Sequence, residues 1–105
     1  MAITVGRWER RDSADREAFG AAALKFCRTL KAREGVRSCR FFWTSADDLA
    51  ILSEAESLRV LDEPPTRDMA QALFALADLA RPTGLERWMD PRDGTEVYRL
   101  AGRGR

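Results

Sequence analysis

Residues 36–44 read VRSCRFFWT and residues 49–56 read LAILSEAE, and these two segments carry the strongest structural signal in the chain. Both are rich in the aromatic and aliphatic residues that favour β-strands, and the polar residues between them predict a short loop. The pair therefore predicts a β-hairpin. Because neighbouring side chains in a strand point to opposite faces, Phe41 and Trp43 share one face while Phe42 lies on the other. Large apolar groups on both faces indicate that both faces of the sheet are buried.

The segments before this hairpin predict a strand followed by a long helix. Residues 2–9, AITVGRWE, alternate apolar side chains with polar or small ones, as a strand does. Residues 14–33 carry apolar side chains at helical spacing, with Asp12 or Ser13 as the expected N-cap. Gly35 follows the last periodic residue, where glycine commonly ends a helix.

The segments after the hairpin predict a second helix and two further strands. A loop over residues 57–65 ends in two consecutive prolines, which block a helix, and Thr66 then caps a helix over 67–80. The remaining predictions, in chain order, are a helix end at Pro82 and Gly84, a strand over 85–90, a turn over 91–94, a strand over 95–100 and a frayed tail over 101–105.

The predicted order β-α-β-β-α-β is that of an α+β, ferredoxin-like fold. Such a fold has one antiparallel sheet with two helices on one face, and here an extra C-terminal strand is expected. We expect one domain over residues 1–100. The helices cover only one face of the sheet, and an exposed apolar sheet face is a liability. We therefore predict a homodimer whose sheets pack face to face in an α+β barrel.

Composition excludes several function classes. The 105 residues carry a net charge of +1, which argues against a dedicated nucleic-acid binder. Histidine is absent, which excludes a Ser-His-Asp triad, a His-ligated zinc and a His-ligated haem, so the sequence predicts no metal and no cofactor. Cys27 and Cys39 form no CxxC pair and are expected to be small buried residues, with a disulfide only if their elements pack together.

The N-terminal residues MAITVGRWERR do not have the pattern of a signal peptide. No apolar run approaches the roughly 18 residues that a membrane span requires. These two observations predict a cytoplasmic protein without a membrane partner.

The whole pattern resembles the dimeric α+β barrel superfamily, which includes the antibiotic-biosynthesis monooxygenase-like proteins. The resemblance rests on the βαββαβ order, the hairpin carrying FFWT, the capped Ala/Leu-rich helix at 66–80 and the strand LERWMD. It implies a small-molecule pocket between sheet and helices, often for an aromatic or polyketide-like compound of secondary metabolism. The characterised monooxygenases carry Asn, His and Trp around the substrate, and this sequence has neither Asn nor His.

Two polar side chains of the hairpin are the candidate catalytic residues. Glu54 and Glu56 lie two apart, so they share a face as an acid and base pair, or else both are hydrated where the strand enters solvent. Arg40 lies beside the aromatic run, and it either pairs with a carboxylate such as Glu54 or meets an anionic ligand. We select Glu54 and Arg40 as the catalytic candidates.

Aromatic side chains supply the candidate substrate-binding residues. Trp8, Trp43 and Trp88 lie on three predicted strands, where they either fill a core or line a pocket. Tyr98 either donates a proton to a ligand carbonyl or lies at a surface. The substrate-binding candidates are Phe42, Trp43, Trp88 and Tyr98. The sequence therefore predicts a homodimer that binds a small apolar or aromatic molecule, with or without catalysis: a monooxygenase-, cyclase- or isomerase-like enzyme, or a non-catalytic binding or assembly protein.

Overall fold

The structure, a computed structural model, describes residues 1–95. The predicted fifth strand and tail, beyond Thr95, lie outside the described residues. The strands are β1 (Ala2–Arg10), β2 (Val36–Trp43), β3 (Asp48–Ala55) and β4 (Ala80–Met89). The helices are α1 (Arg16–Lys31), α2 (Leu58–Asp62) and α3 (Arg67–Leu79).

The four strands form one antiparallel sheet in the order β2-β3-β1-β4. The β2–β3 hairpin is present as predicted, and β1 lies at the centre between β3 and β4. At the centre of the sheet, Gly6 of β1 pairs with Ile51 of β3 on one side and with Leu85 of β4 on the other. The α+β, ferredoxin-like fold predicted from the sequence is confirmed.

The core lies between the helices and one face of this sheet. Phe19, Leu49 and Leu76 are its largest fully buried side chains, and they come from α1, β3 and α3. Burying such a side chain contributes about 1.5–3 kcal/mol, so these contacts hold both helices against the sheet. The opposite face, here called the open face, carries the half-exposed aromatic side chains Phe42 and Trp88.

Both long helices begin at a side-chain cap. Thr66 caps α3 as predicted, and its hydroxyl accepts a hydrogen bond of 3.3 Å from the Met69 amide. The cap of α1 is Asp15 rather than Asp12 or Ser13, because the Asp15 carboxylate accepts the Ala18 amide at 3.1 Å. Asp12, Ser13 and Asp15 are all residue types that cap helices well. Asp15 is the one used, because the buried apolar face of α1 begins at Phe19, one turn after it.

Three further local predictions were wrong. The loop over 57–65 contains the short helix α2, whose Leu58 is buried at its first position.

The strand β4 begins at Ala80, directly after α3, so Pro82 lies inside it. A proline is tolerated there because β4 is an edge strand of the sheet formed by residues 1–95, and its register with β1 shifts at this point. Residues 91–95 are helical rather than a turn, with the Asp90 carboxylate accepting the Asp93 amide at 3.0 Å.

Gly35 connects α1 to β2 with a φ of 90°, a conformation that side chains disfavour. A Cβ there would lie 2.9 Å from a methyl carbon of Val60. We expect Gly35→Ala to lower the free energy of unfolding by roughly 1–3 kcal/mol, measured by urea denaturation. Gly84→Ala is the matched control, because its Cβ would meet only ordinary contacts near Arg7. Equal losses for both variants would contradict this account of Gly35.

Candidate functional site

A cleft of about 320 Å³ lies between the sheet and the helices. Its floor comes from the helix-facing side of β1, β3 and β4, and its walls come from the three helices. The cleft exists because the centre of its floor is Gly6, which has no side chain to fill the space. A Cβ built at Gly6 would have one close neighbour, the indole nitrogen Nε1 of Trp8 at 3.6 Å.

Most of the cleft lining is apolar. Phe26 and Leu30 of α1 and Met69 of α3 form one wall, while Ile51 and Leu85 lie on the sheet side. Leu85 is 63% exposed, so the cleft opens to solvent along the edge strand β4. An apolar cavity with a few polar groups is the usual form of a small-molecule site.

Two hydrogen-bond donors of the floor are unused. The Trp8 indole N–H and the Thr4 hydroxyl both line the cleft, and neither has a hydrogen-bond partner within residues 1–95. Both project from the same face of β1, since they are four residues apart in one strand. A ligand oxygen in the cleft can therefore accept hydrogen bonds from the protein without displacing an existing bond.

The ionised side chains that line the cleft are Asp62 and Arg87, and they pair with each other. One guanidinium nitrogen of Arg87, Nη1, lies 3.0 Å from Oδ1 and 3.2 Å from Oδ2 of Asp62. The pair joins the end of α2 to β4, and both side chains are more than 40% exposed. It therefore lies at the mouth of the cleft, between two of its walls.

A pair of thiols lies next to the cleft. Cys27 of α1 is almost fully buried in the core, and Cys39 of β2 packs against the same cluster. A hydrogen bond to Cys39 raises the pKa of the Cys27 thiol, and burial raises it further. The same contact lowers the pKa of Cys39, against the effect of its burial. Cys39 is also joined to Ser53, a cleft residue, by a 3.4 Å contact between Sγ and Oγ.

These shifts predict different reactivities for the two thiols. Because its pKa is lowered, Cys39 has a larger thiolate fraction at neutral pH than an ordinary cysteine, and thiolate is the reactive form. We expect iodoacetamide to alkylate Cys39 and not Cys27 in the folded protein, and both in guanidinium, as measured by peptide mass spectrometry.

The labelling rate of Cys39 should also reach its plateau at a lower pH than that of free cysteine. Cys39→Ser is the control and should leave the folded protein unlabelled. First labelling at Cys27 would contradict the assignment.

The predicted site residues do not line this cleft. Arg40, Phe42 and Glu54 are on the open face, and so is Trp88 of β4. Arg40 lies opposite Leu52 and forms no ion pair with Glu54 in the described part of the chain. The near contact of Glu54 is the Ser38 hydroxyl at 3.5 Å. Glu56 follows the last residue of β3, so the two glutamates do not form a pair within that strand.

Trp43 is separated from those residues because it points to the helix-facing side. Its ring packs edge-on against Phe19 at 5.5 Å between centroids, and the Arg16 guanidinium lies 3.9 Å above it. The single pocket predicted to hold Phe42, Trp43 and Trp88 together is therefore not formed within the chain, since alternation places Trp43 on the other face. Tyr98 lies outside the described residues.

Sequence reasoning missed most of the cleft residues, although one signal was present. The alternation of Ile3 and Val5 with Thr4 and Gly6 already places the two small residues on the face of Trp8. A glycine on the buried face of a central strand marks missing side-chain volume. Asp62 and Arg87 carried no such signal, because their proximity depends on how α2 packs against the edge strand.

A second groove is larger, about 580 Å³, and lies between α1 and the start of α3. Charged side chains line much of it, including Lys25, Arg28 and Glu63. Arg33 in this groove is already bound to the carbonyl oxygens of Val60, Glu63 and Pro64 at 2.6–3.1 Å. These bonds tie α1 to the loop before α3, so we treat this groove as structural.

Comparison with known proteins places the fold. A conserved protein of Bacteroides thetaiotaomicron, described as a possible oxidoreductase, has 23% identity and a TM-score of 0.72, over 85% of this chain and 97% of that one. SnoaB, a cofactor-independent oxygenase from Streptomyces nogalater, has 10% identity and a TM-score of 0.69, over 85% of this chain and 91% of that one. This chain has the fold of the antibiotic-biosynthesis monooxygenase-like proteins. The resemblance predicted from the sequence is confirmed.

A further neighbour is described as a dimer. A dimeric protein of unknown function with a ferredoxin-like fold, from Bacteroides fragilis, has 13% identity and a TM-score of 0.65, over 85% of this chain and 95% of that one. No family model and no curated protein sequence matches this chain. Across residues 1–95, no helix is both long enough and apolar enough to cross a membrane.

Proposed function

We propose that this protein binds a small, largely apolar or aromatic molecule in the cleft between its sheet and helices, and that it acts on that molecule as a metal- and haem-independent enzyme. The observation that carries the proposal is the cleft itself, with an apolar lining and the unused Trp8 and Thr4 donors on its floor. Both donors lie on partly exposed residues and have no partner within residues 1–95, so they are free to bond a ligand that supplies acceptors.

The chemistry follows from where those donors lie. An indole N–H and a hydroxyl on the floor stabilise the negative charge that develops on a ligand oxygen when a phenol or ketone loses a proton to solvent at the open side of the cleft. Monooxygenase-, cyclase- and isomerase-like reactions that begin with this deprotonation pass through such an oxyanion. Structural neighbours that are named as oxygenases support this class.

A non-catalytic ligand-binding or assembly protein of the same fold is the second candidate. The observation that favours it is the state of the ionised groups, because Asp62 and Arg87 are paired with each other rather than free to move protons. A binding protein needs the cleft and its donors but no proton acceptor.

The cleft is tested by filling it. We expect Gly6→Val to weaken binding of the fluorescent probe N-phenyl-1-naphthylamine roughly tenfold or more, since its methyl groups occupy the floor. The fluorescence of this neutral aromatic probe rises when it enters an apolar site, so titration gives the affinity. Circular dichroism of the variant verifies that the β-structure is intact.

Gly84→Val is the matched control for this test. The Gly84 backbone borders the cleft, but its Cβ would point to the open face, 3.7 Å from Cδ of Arg7. Unchanged probe binding by Gly6→Val, or equal losses in the two variants, would rule out the cleft as the binding site.

We also propose that the open face is covered by a second copy of this chain. Phe42 and Trp88 are each about half exposed there, while Ile3 and Leu52 lie between them on the inner strands. Arg7 and Arg40 lie on the same face without an ion-pair partner in the described chain. In a two-fold symmetric dimer, the open face of one copy packs against the open face of the other. The two arginines can then pair with Glu54 and Glu86 of the other copy.

The face-to-face dimer predicts a clear effect of charge on this surface. We expect Leu52→Asp to change the mass in solution from twice 11.9 kDa to 11.9 kDa, because a carboxylate without a partner would be buried at the interface. Sedimentation equilibrium measures the mass. In a single chain Leu52 is half-buried on the open face and lies outside the core between sheet and helices, so the fold should survive the change.

Phe74→Asp is the control for that experiment. Phe74 is 70% exposed on α3, on the opposite side of the molecule, and its replacement should leave the mass unchanged. A wild-type mass of 11.9 kDa would refute the dimer, and a dimeric Leu52→Asp variant would place the interface elsewhere.

A further inference from the structure

We infer that the ligand of the cleft carries an anionic oxygen group, and that Arg87 binds this group in place of Asp62. This inference rests on the proposed function, because it names the class of molecule that the cleft takes: an apolar or aromatic body with one carboxylate-like group. Asp62 then acts as an internal substitute for the ligand, holding the guanidinium at the mouth until an anion replaces it.

The first observation is the incomplete use of the Arg87 guanidinium. Its bonds to Asp62 all come from Nη1, at 3.0 and 3.2 Å, while Nε and Nη2 have no partner within residues 1–95. A guanidinium is best satisfied by a carboxylate that it meets with two parallel N–H bonds. Arg87 therefore retains the donors that an incoming anion needs.

The second observation is where Arg87 lies relative to the apolar floor. It projects from the same face of β4 as Leu85, two residues away, and it lies opposite Thr4 in the register of the sheet. A ligand whose rings cover Gly6 and Leu85 thus extends toward Arg87 and passes the Thr4 hydroxyl. The apolar and charged contacts belong to one continuous surface.

The third observation is that the Asp62–Arg87 pair is easily opened. Both side chains are more than 40% exposed, and ion pairs at such positions are weak because water and salt screen them. Asp62 is also the last residue of the five-residue helix α2, so few helical bonds fix its position. An anion that also gains apolar contacts in the cleft competes well against this carboxylate.

Other arginines near the sheet do not offer this arrangement. Arg7 and Arg40 lie on the open face, away from the cleft. Arg81 lies at the start of β4, where its guanidinium is bound to the Glu9 carboxylate through Nε and Nη2. Arg87 is the arginine of the cleft lining.

The test compares two probes that differ by one anionic group. N-phenyl-1-naphthylamine is neutral, and 8-anilinonaphthalene-1-sulfonate has the same rings with a sulfonate added. We expect Arg87→Gln to weaken binding of the sulfonate roughly tenfold, as expected for losing a charged hydrogen bond, and to leave the neutral probe unchanged. Asp62→Asn should strengthen sulfonate binding roughly two- to fivefold, because the competing carboxylate is gone.

A second ion pair of the same sheet supplies the controls. Arg81→Gln and Glu9→Gln make the same charge changes outside the cleft lining, and neither should alter the affinity for the sulfonate. If Arg81→Gln weakens it as much as Arg87→Gln, net charge and not Arg87 sets the affinity, and the inference is overturned.

The outcomes separate this inference from the proposed function. If the neutral probe binds in a manner sensitive to Gly6→Val but Arg87→Gln affects both probes equally, the cleft stands and the anion site fails. If Asp62→Asn weakens sulfonate binding, Asp62 supports the site rather than competing for it, and the substitution mechanism is wrong. If neither probe binds the wild-type protein, the proposed function fails together with the inference.

Discussion

The central strand β1 must present its even-numbered side chains to the helices, and the positions of both helices and of the cleft follow from this. On that face small residues, Thr4 and Gly6, lie between Ala2 and Trp8. Helices α1 and α3 are held against the sheet by Phe19 and Leu76, whose size fixes their distance from it. Since the helices cannot approach further, the missing side-chain volume over Gly6 stays as a cleft. The apolar core and the cavity thus have the same cause.

Most of the fold was readable from the sequence because its signals are local. The aromatic alternation around Phe42, the Thr66 cap and the apolar period of α1 each depend on neighbours in the chain. The wrong predictions fell where tertiary packing decides the conformation. Pro82 and Gly84 were predicted only to end the helix. In the structure both residues belong to β4, because they pair with β1. The short helix α2 exists because Leu58 finds a buried position, which no local pattern reveals.

The candidate site was less predictable than the fold. Glu54 and Arg40 are the residues whose side chains carry evident chemistry, yet they lie on the open face. The cleft depends instead on Gly6, which has no side chain to fill the space. It also depends on Asp62 and Arg87, which are 25 residues apart in the chain and meet only in the fold. Side chains alternate between the two faces of a strand, so the register decides which of them face the helices. That register cannot be derived from a single sequence. Alternation alone places Phe42 and Trp43 on opposite faces, and only the packing of the chain decides that Trp43 is the one that meets the helices.

The bulge in β4 also bears on how the protein behaves at high concentration. An edge strand exposes unpaired amides and carbonyls, and a flat edge invites another chain to pair with it. Here Pro82 lacks an amide, the register of β4 shifts beside it, and Arg81 and Arg87 add charge along the strand. Each of these features discourages a foreign strand from docking on this side of the sheet. The irregular start of β4 therefore protects against aggregation by strand addition. In the proposed dimer, chains then associate through the open face of the sheet and not through this edge.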